Sequence, residues 1–101
     1  MLFSQDITLP MLNTISRGTL IEHLGIEYTA LNSDALLAKM PVDQRTKQPM
    51  GLLHGGASVV LAETVGSMAA NLVVDREKYY CVGLEINANH VRKATDGYVY
   101  A

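Results

Sequence analysis

The chain has 101 residues, enough for one small domain around one core, and its 49% hydrophobic and 18% charged residues make a globular rather than a disordered composition. A formal net charge of −2, with no block of like charge, gives nucleic acid no electrostatic footprint. The single cysteine, Cys81, excludes an internal disulfide framework and fits a reducing, cytoplasmic compartment, and the first residues lack the basic-then-apolar pattern of a signal peptide.

In chain order, residues 8–17 read as a short helix capped by Thr8, with Pro10 in its first turn and Gly18 as its stop. Residues 19–24 add one more helical turn before Gly25. Residues 26–31 and 35–42 read as two strands of a hairpin across the turn Asn32-Ser33-Asp34, with Pro41 near the end of the second, where a missing donor is tolerable. Residues 43–50 form a polar loop. Asp75-Arg76-Glu77-Lys78 is a charged exit turn. Residues 79–91 alternate, with Val82, Leu84, Ile86, Ala88 and His90 on one face, and predict a long strand. After a turn at 94–97, Tyr98 begins a further strand. Four strands are fewer than the five or six of a usual covering sheet, so the sequence reads as a domain lacking its final strands.

Between these elements lies the most informative stretch, Gln48 to Ala70. A loop punctuated by Pro49, Gly51, Gly55 and Gly56 feeds an apolar helix over about 55–74. Being apolar nearly all round, that helix is expected to be buried on most sides. Its many small residues permit close approach of other backbone. Glu63 and those small residues interrupt the run and argue against a membrane span. A carboxylate in such a helix is costly to bury unless hydrogen-bonded, paired or put to use, which singles out Glu63.

The order of hairpin, loop Gln48–Gly56, acid-bearing helix and then Gly83-Leu84-Glu85-Ile86-Asn87-Ala88-Asn89-His90 resembles the hotdog-fold acyl-CoA thioesterases. His54-Gly55-Gly56, Glu63 seven residues beyond Gly56, and Asn87-Ala88-Asn89-His90 carry the likeness together. It lies nearest the branch of phenylacetate-pathway thioesterases and the 1,4-dihydroxy-2-naphthoyl-CoA hydrolases of menaquinone biosynthesis. The resemblance implies an α+β hotdog fold, an antiparallel sheet wrapped around one long helix, with two further strands after residue 101. It also implies homodimers, usually paired into homotetramers. It implies that Gly83 and His90, Val91, Arg92 and Lys93 lie by the CoA moiety, and that Met68, Asn71 and Leu72 line the acyl pocket. No cofactor is implied, since CoA is part of the substrate, and no metal-ligand spacing is present.

Thioester hydrolysis needs donors aimed at the developing oxyanion and a base or nucleophile at the carbonyl carbon. The free amides of Gly55 and Gly56 at the helix start can supply the first, and Glu63 the second, either as general base or as nucleophile. Gln48 can donate its amide to the carbonyl or position water. His54 can place a ring nitrogen near the same oxygen or simply order the loop. Ser67, one turn beyond Glu63, can bond the acyl group or the carboxylate. Gly55 and Glu63 are eight residues apart, about 12 Å along a helix at about 1.5 Å per residue. One carbonyl group cannot reach both, so a shared site requires a second, antiparallel chain and lies across a two-fold interface. Two other classes fit less closely: a hotdog dehydratase, and an acyl-CoA-binding protein or inactive fragment that keeps the fold without turnover.

Overall fold

The computed structural model describes residues 2–101. Thr8 caps α1 (Leu9–Ile15), its hydroxyl accepting from the Met11 N–H, and Pro10 stands where the helix loses no internal donor. Thr19 caps α2 (Leu20–His23) in the same way through the Ile21 N–H. Gly18 and Gly25, the expected stops, have φ of +76° and +73°, a left-handed conformation that costs glycine nothing.

β1 (Glu27–Leu31) and β2 (Leu36–Pro41) form the expected antiparallel hairpin, and the Asn32 side chain closes its turn by accepting from the Asp34 and Ala35 N–H groups. Their register slips between Tyr28 and Ala30, leaving Thr29 as a bulge. The outer edge of β1 at Tyr28 is occupied by a side chain rather than a strand. Asn13 of α1 accepts from the Tyr28 N–H at 2.9 Å and donates to the Tyr28 carbonyl at 3.0 Å. β3 (Tyr98–Tyr100) pairs antiparallel with the other side of β2, so the sheet order is β1-β2-β3.

α3 (Gly55–Val73) lies across this sheet. Ala57, Leu61 and Leu72 are buried with Tyr28, Ala38 and Met40 of the sheet and with Leu12 of α1. The expectation of a helix buried on most sides is corrected: three strands cover one face, and most other positions of α3 are only half-buried or exposed. By length and composition α3 could cross a membrane, but here its apolar face forms part of the core. Leu72, expected in an acyl pocket, instead belongs to that core.

The predicted strand over residues 79–91 does not form. The alternation is present, but among the described residues no neighbouring strand offers a ladder, and Val82, Leu84 and Val91 stand exposed. Periodicity fixes which side chains share a face; it cannot supply a partner for the backbone. Near its start the segment is held by the side chain of Asn71 from α3.

Leu61, 3% exposed, should reveal how much of the stability rests on the contact between α3 and the sheet. Leu61→Ala is expected to cost about 2–5 kcal/mol in urea unfolding, whereas Met50→Ala, at an 80% exposed position, should change it by less than about 0.5 kcal/mol.

Candidate active site

The start of α3 is assembled by a loop whose polar groups are used internally. The Arg45 guanidinium hydrogen-bonds the Asp43 carboxylate, at 2.7 Å for the shortest contact, and holds its carboxyl below the usual range. That ion pair persists above the ordinary carboxylate range and is lost as acid protonates Asp43. Thr46 is buried, its hydroxyl donating to the Pro41 carbonyl, and its own carbonyl accepts from the His54 N–H at 2.8 Å.

His54 is the N-cap of α3, and its Nδ1 accepts from the Gly56 N–H at 2.8 Å. Two consequences follow. The Gly56 amide is occupied, which corrects the expectation that both glycine amides are free. A neutral His54 with Nδ1 accepting carries its proton on Nε2, which can donate outward. Among the described residues no hydrogen bond uses the Gly55 N–H, which leaves it as the free amide of the first turn. The His90 ring lies beside it: a Cβ added at Gly55 would stand 2.8 Å from His90 Nε2. Gln48 shows the same division. Its side-chain oxygen accepts from the Met50 N–H, so its amide N–H₂ is free to donate.

Two turns further along, Glu63, Ser67 and Asn71 form a stripe at four-residue spacing. Ser67 Oγ donates to Glu63 Oε1 at 3.1 Å, and no salt bridge reaches Glu63 among the described residues. Asn71 donates to the carbonyl of Cys81 at 2.9 Å and accepts from its N–H at 2.7 Å. Thus the residue expected only to line the acyl pocket also clamps the chain that returns across the helix. Two residues later, Gly83 lies directly against the Glu63 carboxylate.

Glu63 and Ser67 stand between two clefts. An apolar cavity of about 420 Å³ is walled by Leu20, Ile21, Val59, Val60 and Met68, with Asn71 also in its lining. A smaller one of about 260 Å³ lies on the Gly83 side, between Ala62, Gly66 and Ile86. The larger is of a size for a small-molecule site. A groove of about 440 Å³ among α1, α2 and the start of β1 contains none of the predicted site residues, so volume alone does not locate the chemistry.

The predicted residues therefore fall into two groups. Glu63, Ser67, Met68, Asn71 and Gly83 come together around the middle of α3, and His54, Gly55 and His90 gather at its start, while Gln48 lies in the loop that leads to it, bonded to Met50 and Leu52. Val91, Arg92 and Lys93 are exposed on the segment beyond His90. Sequence reasoning missed Leu20, Ile21, Val59 and Val60 as cavity walls. The adjacent apolar pair Leu20-Ile21, in a helix too short to bury a face alone, was the available signal.

His54 allows cap and chemistry to be separated. His54→Ala should cost about 1 kcal/mol of stability through the lost cap, while His54→Asn should keep most of it, as read by thermal unfolding. If the Nε2 proton serves the reaction, both variants should lose turnover alike.

The thioesterase superfamily profile matches residues 50–101. The proofreading thioesterase EntH of Cronobacter turicensis is 57% identical over 99 residues, covering 98% of this chain and 72% of the relative. The 1,4-dihydroxy-2-naphthoyl-CoA hydrolase of Escherichia coli is 54% identical over 99 residues, with the same two coverages. Among solved structures, a glutamine-to-alanine variant of the thioesterase PA1618 of Pseudomonas aeruginosa superposes with a TM-score of 0.95 at 52% identity, covering 99% of this chain and 72% of that one. The chain belongs to the thioesterase superfamily, hydrolases built on the hotdog fold.

Proposed function

We propose that the protein is an acyl-CoA thioesterase that cleaves an aromatic or otherwise bulky acyl-CoA, of the 1,4-dihydroxy-2-naphthoyl-CoA kind, to the free acid and CoA. The carrying observation is the state of Glu63: half-buried in the lining of an apolar cavity, hydrogen-bonded to one serine hydroxyl, with no salt bridge to it among the described residues. A structural acid at such a position would be paired. An unpaired one stays available to a reacting group.

In this reading the acyl group enters the cavity walled by Val59, Val60 and Met68, with its carbonyl carbon at Glu63. As general base, Glu63 takes a proton from water while the water oxygen adds to the carbonyl carbon. The tetrahedral intermediate then expels CoA thiolate, which takes up the proton. As nucleophile, Glu63 adds to the carbonyl itself, releases CoA and leaves an anhydride that water opens. Either route places negative charge on the carbonyl oxygen, where the free Gly55 amide, the Gln48 amide and His54 Nε2–H can donate. Those donors lie near the start of α3, a group apart from Glu63 in one chain, so the catalytic assembly is a homodimer with antiparallel helices. A pair of dimers is the proposed tetramer. His90, Val91, Arg92 and Lys93 would meet the CoA moiety, the two cations its phosphates.

The names of the relatives differ in what they describe, proofreading in one and a naphthoyl-CoA in the other, so likeness alone leaves the acyl group open. The apolar cavity walls favour a hydrophobic acyl group over a charged one. The compartment we propose is the cytoplasm, consistent with the free Cys81 thiol.

A second reading, an acyl-CoA-binding protein without turnover, is favoured by one observation: a single chain holds Glu63 and the Gly55 amide in separate clusters. Thiol release should be measured with benzoyl-, naphthoyl- and long-chain fatty acyl-CoA. Aryl substrates should be turned over fastest, and Glu63→Gln should fold normally while losing about 10²–10⁴-fold in kcat. Tight binding with no thiol released would favour the second reading. Unchanged turnover in Glu63→Gln would remove the acid from the mechanism.

A further inference from the structure

Gly83 has no conformational reason to be glycine. The glycines of this chain with left-handed backbone are Gly18, Gly25, Gly51 and Gly97, and Gly83 is not among them. Alanine could adopt its backbone without strain. What excludes a side chain is space: an added Cβ would fall on Glu63 Oε1, 2.6 Å from Glu63 Cδ and 3.0 Å from Oε2. All three nearest atoms belong to one carboxylate. That carboxylate therefore occupies the volume that any other residue at position 83 would claim for itself.

The segment is held there from the helix. Asn71 joins both backbone groups of Cys81, two residues before Gly83, and its own amide also bonds the Ser67 carbonyl at 2.8 Å. Ser67 Oγ in turn bonds Glu63. Two side chains on α3, at four-residue steps beyond Glu63, thus hold the parts together: Ser67 fixes the acid and Asn71 the returning backbone. We infer that Gly83 is a positioning residue for Glu63: its missing side chain is the seat of the carboxylate, and the Asn71 clamp keeps that seat in register. This deepens the proposed function and rests on it for its kinetic consequence.

The obstructing atoms are the far end of a flexible side chain, so Gly83→Ala should fold and simply turn the carboxylate away. A displacement of about 1 Å at a reacting group costs on the order of 100-fold in rate. Gly83→Ala should therefore lower kcat on the best aryl-CoA substrate about 100-fold, with KM within about two-fold and thermal stability unchanged. Glu63→Asp shortens the acid by one bond, about 1.5 Å, and withdraws it from position 83. In that background, adding Gly83→Ala should lower kcat by less than about three-fold. A crystal structure of Gly83→Ala should show the carboxylate moved off its seat and the Ser67 bond broken.

Equal losses in the two backgrounds would overturn the inference, as would a raised KM at unchanged kcat, which would make Gly83 a substrate contact instead. So would a carboxylate still in place in the variant. Wild-type turnover in Glu63→Gln is a different failure. It would sink the catalytic reading of Glu63, and the position of the carboxylate in the Gly83→Ala crystal structure would then decide the seat by itself.

Discussion

Glu63 is half withdrawn from water on an apolar helix, and among the described residues the only group bonded to its carboxylate is the hydroxyl of Ser67. Desolvating an anion without a counter-charge is unfavourable, and the fold tolerates it because the site stays open to two clefts and one oxygen has a donor. Much of the surrounding construction serves that one group. The sheet buries the opposite face of α3 and fixes the helix. α2 closes the apolar cavity with Leu20 and Ile21. Asn71 draws the returning chain over the acid, and Gly83 leaves it room.

The same structural device appears twice. Asn13 on α1 and Asn71 on α3 each present a side-chain amide to an extended backbone and make both of its hydrogen bonds, at Tyr28 and at Cys81. An amide side chain is a copy of a peptide group, so it can satisfy one residue of a strand edge that would otherwise face apolar surface. At Tyr28 it caps the sheet where the bulge begins. At Cys81 it provides the anchoring that an absent ladder cannot.

What could be read in the sequence was what local chemistry decides. Thr8, Thr19, Gly18 and Gly25 mark the ends of the first two helices, and His54-Gly55-Gly56 marks the start of the third, because caps and left-handed stops involve only near neighbours. Glu63 stood out because an acid within an apolar helix is a local contradiction. The strand expected over 79–91 was not legible, since alternation says nothing of a pairing partner. Nor was the role of Asn71, whose bonds cross ten residues, or the reason for Gly83, where a glycine required by space looks the same in sequence as one required by a turn. The occupied Gly56 amide depended on the ring orientation of His54, which no spacing rule conveys.

The proposed catalysis requires one chain's acid to work with another chain's amide. The most direct measurement mixes two inactive variants, Glu63→Gln and Gly55→Val, the second crowding the His90 ring at the helix start. Unfolding together and reassembly at equal concentrations should produce mixed dimers in which one site combines the intact Glu63 of one subunit with the intact Gly55 of the other. Thiol release should then return to about one quarter of the wild-type rate, since half the dimers are mixed and each carries one good site of two. If the mixture stays as inactive as either variant alone, acid and amide act within a single chain and the shared site proposed here is wrong.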